Sequence, residues 1–175
     1  MRKIINYLQI KLYTMRKNVI FAVIITSLVW CIIGYGAFIA IKMSQKIEQD
    51  ERRIELSLED DVYSYIFALR IEHPDIVFAQ CIEESGNFKS QLFLQGNNCL
   101  GMKVPSLRPT KAVGAIYGHA RFQSWKDCIA DYAIWQSVTA RRLSRDEYFT
   151  LLDRIYAEKE GYSNRLKAII KKNSL

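Results

Sequence analysis

The sequence predicts an α+β domain, mainly α, with a small β-hairpin lobe and one transmembrane helix ahead of it. Three observations predict it. Val19 to Ile41 runs 23 residues without a charge. Four stretches beyond residue 58 repeat apolar side chains at helical spacing. Between the second and third of these lie residues 86–121, rich in Gly, Asn, Pro and Arg, where turn formers suit a hairpin.

A chain of 175 residues suggests one domain plus appendages. Half of it is hydrophobic and 12% aromatic, which allows a packed core and excludes disorder along the whole chain. The net charge of +7 is uneven. Residues 1–17 carry five bases and no acid, whereas residues 59–175 carry 16 bases and 14 acids. The pI of 9.2 therefore does not support a nucleic-acid partner.

The uncharged run measures about 34 Å as a helix and exceeds the roughly 20 residues a bilayer core needs. Bases precede it, and residues 43–60 hold six acids against three bases. The positive-inside rule then places the N-terminus in the cytoplasm and the remainder on the outer face of the cytoplasmic membrane. The run is longer than a signal-peptide core, and "GAFIAIKM" offers no small-x-small cleavage site, so an uncleaved signal anchor is expected. The predicted organisation is a cytoplasmic tail (1–17), a single-pass anchor (18–42), a helical stalk (43–58) and a folded domain (59–175).

Within the domain, "EDDVYSYIFALRIE" spaces Val62, Ile66 and Leu69 as one helical face. "HPDIVFAQCIEES" has Pro74 in its first turn, where a missing N–H is harmless. "SWKDCIADYAIWQSVT" is helical through Trp125, Cys128, Tyr132 and Trp135. "SRDEYFTLLDRIYA" opens with Ser144 and Glu147, a capping box, and "YSNRLKAIIKK" closes the chain. "KAVGAIYGHARF" is the expected hairpin, with Gly114 or Gly118 near its turn.

Two acids, Glu83 and Glu84, end the second helix, pointing about 100° apart. Glu84 shares a face with Val77 and Cys81, so its surroundings are apolar on one side. Desolvation raises a carboxyl pKa, as a general acid needs near neutral pH. The following "SG" breaks the helix, and an acid there, facing an irregular lobe, suits protonation of a glycosidic oxygen. Cys81, Cys99, Cys128 and His119 form no standard zinc spacing. Buried structural thiols are expected, with no metal and no cofactor.

"AQCIEESGNFKSQLFLQGNNCLGMK" resembles the bacterial glucosaminidase family of peptidoglycan hydrolases, which includes flagellar hydrolases and autolysins. Gln80, Glu84, Ser85 and Gly86 match its Gln and E-S-G turn. Asn97, Asn98, Gly101 and Lys103 match N-N-x-x-G-x-K. "FQSWKDCIADYAIW" is similar to a patterned helix of that family. "YAEKEGY" matches Y-A-x-x-x-x-Y through Tyr156, Ala157 and Tyr162.

The resemblance implies a lysozyme-like fold and hydrolysis of the β-1,4 bond between N-acetylglucosamine and N-acetylmuramic acid. It implies Glu84 as general acid, Tyr156 as a catalytic tyrosine, and Gln80, Asn97, Asn98, Lys103 and Tyr162 on the substrate side. Asn97 and Asn98 are expected to shape the turn more than to touch sugar. The partners implied are peptidoglycan glycan strands, the membrane through the N-terminal helix, and an envelope, secretion or phage assembly.

The chain departs from the family in one respect. No Asp or Glu lies between Gly86 and Trp125, where many members carry a second acid. The substrate's 2-acetamido group, assisted by Tyr156, or an acid such as Asp127 or Asp131 would then complete the reaction. The lobe's six bases, Lys89, Lys103, Arg108, Lys111, Arg121 and Lys126, would attract an acidic polymer. A muramidase, a lytic transglycosylase and an inactive wall-binding protein are the competing readings.

Overall fold

The structure is a computed structural model that describes the backbone of residues 2–155 and 161–174, with side chains from residue 15 onward. The elements are α1 (Arg2–Ala68), α2 (Pro74–Ser85), α3 (Gln91–Gly96), β1 (Gly114–Ile116), β2 (His119–Arg121), α4 (Trp125–Thr139), α5 (Arg145–Ile155) and α6 (Tyr162–Lys172). The chain divides into two compact units, Met1–Arg53 and Ile54–Leu175.

The first unit consists of α1 residues. The stretch from Met15 includes a window of mean hydropathy 2.3, none of it buried, and is long and apolar enough to cross a membrane. Trp30 and Ile32 are each 72% exposed. Its Thr and Ser hydroxyls bond back to the helix: Thr26 Oγ1 and Ser27 Oγ both donate to the Val23 carbonyl at 2.9 Å. Such back-bonding leaves neither of these two hydroxyls unpaired for an apolar medium to penalise.

The second unit holds the core. The last turns of α1 supply Val62 and Ile66, four residues apart and both fully buried. The expected stalk and first domain helix are thus parts of α1, because helix formers run from residue 43 to 68 without Gly or Pro. α2 is the central element: Ile76 through Ile82 are all buried. Its N-terminus is Pro74 after His73, which has φ 55°. Gly86, at φ 56°, ends it in the left-handed conformation that glycine adopts without strain.

α3 is a short helix the sequence reading left within the lobe. Its cap is Ser90, whose side chain accepts from Phe93 N. β1 and β2 pair antiparallel with Ile116 opposite His119. Tyr117 and Gly118, at φ 51° and 75°, form the two-residue turn. Two successive positive φ values match the twist of a tight hairpin. Main-chain bonds join the hairpin to the rest of the lobe, Ala120 N to Met102 O at 2.8 Å and Phe122 N to Gly96 O at 2.9 Å.

Ser124 caps α4, its side chain accepting from Asp127 N. The predicted capping box of α5 forms in both directions, Ser144 N to Glu147 Oε2 at 2.8 Å and Glu147 N to Ser144 Oγ at 3.4 Å. α6 packs along α2 and α5. The described domain is mainly helical with one small antiparallel sheet, as the sequence predicted.

Candidate active site

The last turn of α2 faces an open cleft of about 940 Å³. Glu83 and Glu84 line it from α2, Gly101 to Pro105 and Arg108 from the loop, His119 from β2, Trp135 from α4, Ile155 from α5, and Tyr162 and Arg165 from α6.

The two glutamates part company here. Arg165 Nε donates to Glu83 Oε1 at 2.5 Å in a partly exposed ion pair. Tyr162 OH instead donates to Glu84 Oε1 at 2.7 Å. Burial pushes the Glu84 carboxyl above its ordinary pKa. The Tyr162 hydrogen bond opposes this, and the nearby Glu83 charge adds to it. Burial first, and then the carboxylate of Glu84, push the Tyr162 phenol far above its ordinary range, so it stays a donor. Gly101, at φ 62°, brings the loop so close that a Cβ there would lie 3.1 Å from Glu84 Oε2. A glycine is needed for both the conformation and the approach.

Behind this pair runs a buried chain of polar side chains. Gln80 Nε2 donates to Tyr162 OH at 3.3 Å and Gln80 Oε1 accepts from Tyr132 OH at 2.6 Å. Tyr132 OH meets Tyr148 OH at 2.5 Å, and Gln136 Nε2 donates to Tyr148 OH at 3.0 Å. Gln136 ends the chain on the main chain of Glu72. No buried side-chain N or O among the described residues lacks a partner. A fully satisfied network of this kind fixes side-chain positions in a way an apolar core does not.

The predicted residues separate accordingly. Glu84, Tyr162 and Lys103 line the cleft. Gln80 is fully buried behind Tyr162 and does not line it. Asn97 Nδ2 donates to the carbonyls of Phe122 and Gln123. The buried Asn98 donates to Met102 O and Ala120 O and accepts from Leu100 N and Met102 N. Both asparagines hold the lobe together away from the cleft lining. Tyr156 lies outside the described residues.

Asp131 is fully buried against Arg108, with Nη2 to Oδ2 at 2.7 Å and Nη1 to Oδ1 at 3.1 Å, and it accepts from Lys111 N at 2.7 Å. Burial would raise its carboxyl, but Arg108 and Lys111 N outweigh it and hold the pKa low. Asp127, pulled down chiefly by the Ser124 hydroxyl, pairs with Lys111. Neither aspartate lines the cleft.

The lobe's positive charge is correspondingly less available than its sequence suggests. Lys89 pairs with Glu55, Lys111 with Asp127, Arg108 with Asp131, and Lys126 lies over the rings of Tyr65 and Trp125. Cys81, Cys99 and Cys128 are buried free thiols, with Sγ atoms 3.8 Å apart from Cys81 to Cys99 and from Cys99 to Cys128. Burial pushes the Cys128 thiol well up, which keeps it unreactive. Among the described residues no cluster of His, Cys, Asp or Glu is arranged to hold a metal ion.

Sequence reasoning missed the Tyr162–Glu84 bond, the Arg165–Glu83 pair and the cleft position of His119. Tyr162 carried a signal, as the second tyrosine of the Y-A-x-x-x-x-Y element; Arg165 and His119 carried none.

A half-buried carboxyl with a raised pKa, bonded to a phenol in an open cleft, can chemically serve as a proton donor. The family described as Mannosyl-glycoprotein endo-beta-N-acetylglucosaminidase matches residues 68–175, and the chain belongs to this Glucosaminidase family. The catalytic domain of the autolysin Auto from Listeria monocytogenes is a similar solved structure, with 14% identity and a TM-score of 0.46 over 70% of this chain and 84% of that one. No curated protein matches the chain closely enough to count as a relative.

Proposed function

We propose that the chain is a membrane-anchored peptidoglycan hydrolase. It cleaves the β-1,4 bond between N-acetylglucosamine and N-acetylmuramic acid, with Glu84 as general acid. The observation that carries this reading is the environment of Glu84: in the cleft, half-buried, raised in pKa and bonded to Tyr162. Family membership supplies the reaction class.

Glu84 holds its proton until a glycosidic oxygen lies against it. Transfer to that oxygen weakens the bond to the anomeric carbon, and the Tyr162 hydroxyl stabilises the carboxylate left behind. Glu83 is engaged by Arg165 and takes no part in this transfer. The apolar part of α1 anchors the enzyme, with the N-terminus in the cytoplasm and the domain on the outer face where the wall lies.

The test is a product analysis with the full chain in detergent micelles. Wild type and Glu84→Gln are incubated with peptidoglycan, the products are reduced, and their ends are identified by mass spectrometry. Reduced N-acetylglucosamine ends from wild type, with a rate at least about 100-fold lower for Glu84→Gln, are the expected result. Reduced muramic acid ends would make the enzyme a muramidase, and anhydro-muramic ends a transglycosylase. Sedimentation with the wall and no cleavage by wild type would leave a binding protein.

A further inference from the structure

A general acid is half of a hydrolase. In a single displacement something must also take a proton from the attacking water, and the cleft limits what that can be. Its described titratable and charged side chains besides Glu84 are Glu83 on α2, Lys103 and Arg108 on the loop, His119 on β2, and Tyr162 and Arg165 on α6. Arg165 occupies Glu83, and the phenol of Tyr162 donates to Glu84. Lysine and arginine carry their protons at neutral pH. An imidazole is the side chain of this set suited to accept one there.

The local geometry of His119 favours that use. The Tyr117–Gly118 turn places it as the first residue of β2, opposite Ile116. Its Nδ1 lies 2.9 Å from the Tyr117 carbonyl oxygen. A carbonyl only accepts, so Nδ1 carries the proton, and Nε2 of the neutral ring is left with its lone pair. His119 is half-buried, lines the same cleft as Glu84, and is near enough that a charge on it would act on the Glu84 carboxyl. An acid from the end of α2 and a fixed-tautomer imidazole from β2 line one cleft.

We propose that His119 is the base of the reaction, its Nε2 taking the proton of the water that attacks the anomeric carbon. The water oxygen bonds to that carbon as the bond to the leaving oxygen breaks. Glu84's proton goes to the leaving oxygen and the water's proton to Nε2. One water is consumed, and the imidazolium returns its proton through solvent to restore Glu84. The inference rests on the hydrolase reading above and adds to it the group that the acid-free lobe lacks.

The test uses the full chain in detergent micelles, with kcat/KM for peptidoglycan fragments measured across pH for wild type, His119→Ala and His119→Gln. Binding is checked by sedimentation with intact wall. A base gives wild type an acidic limb, since protonated imidazole cannot accept. Both variants are expected to bind the wall, to lose at least about 100-fold in kcat/KM and to lose that limb. Added imidazole is expected to restore part of the rate of His119→Ala. Near-wild-type rates with the acidic limb intact in His119→Gln would overturn the inference while leaving the hydrolase reading in place. A loss in His119→Ala that His119→Gln repairs and imidazole does not would make His119 structural, and overturn it too. No hydrolysis by wild type would remove both.

Discussion

The helical wall of the cleft holds its acid through side chains bonded to one another, from Tyr162 to Gln80, Tyr132, Tyr148 and Gln136. The loop wall presents Lys103, Arg108 and His119 from a lobe held by main-chain bonds, two asparagines and one buried ion pair. The first wall is rigid in the way that sets a proton affinity, because every buried polar atom has a fixed partner. The second also sends Phe93, Cys99 and Leu100 into the core, but its cleft face is carried by loop and hairpin backbone. The contrast divides the labour of the site: the hydrogen bond that holds the carboxyl comes from the α2–α6 packing, while its burial and access depend also on the lobe.

Removing the lobe's buried ion pair should break this contrast most visibly. Asp131→Ala leaves Arg108 without its carboxylate and Lys111 N without its acceptor. Deleting one partner of a buried pair typically costs about 3–5 kcal/mol, and chemical denaturation should read a loss of that size. The sign with pH follows from the depressed Asp131 pKa. Its contribution is present above the unfolded carboxyl value and fades as acidity takes the solution below about pH 4. The gap between wild type and Asp131→Ala should therefore narrow on acidification. A constant gap would remove the pair from the account of the lobe.

The helical wall is sharpened by Tyr162→Phe. The substitution deletes the donor to Glu84 and leaves Gln80 Nε2 without its acceptor. A hydrogen bond to a charged group contributes about 1.5–3 kcal/mol, so kcat/KM should fall about tenfold or more. The Tyr162 bond lowers the Glu84 pKa. Its loss should move the basic limb of the pH–rate profile to higher pH. An unmoved limb would mean that Glu84 is not the titrating acid.

The smallest effect concerns Glu84 itself. Its carboxyl is raised in the folded protein, so the stability tied to its proton is complete below the unfolded pKa and is lost as pH rises through the folded one. Gln at this position does not ionise. Thermal unfolding of Glu84→Gln should give a slightly higher Tm than wild type at neutral pH. That difference should close below about pH 4. A lower Tm at neutral pH would show that the ionised Glu84 stabilises the fold, contrary to the burial argument.

Much of this protein was legible from local pattern. The uncharged run before residue 42, the hairpin at residues 114–121, the Ser144–Glu147 box and the placement of Glu84 at a helix end each depend on neighbours within a few positions. Composition left two things undecided. A stalk and a first domain helix turned out to share α1, since nothing between residues 43 and 68 interrupts helix formers. A basic lobe turned out to spend several of its charges on acids of α1 and α4.

The sequence by itself determined which carboxyl ends the buried helix and which segment is apolar enough to cross a membrane, because helical periodicity and hydropathy are local. Only the tertiary structure decided that Arg165 takes Glu83 and Tyr162 takes Glu84, partners 82 and 78 residues away. It also decided that His119 faces the cleft. Contacts at such separation are set by how α6 and the hairpin pack against α2, and no spacing along the chain encodes that packing.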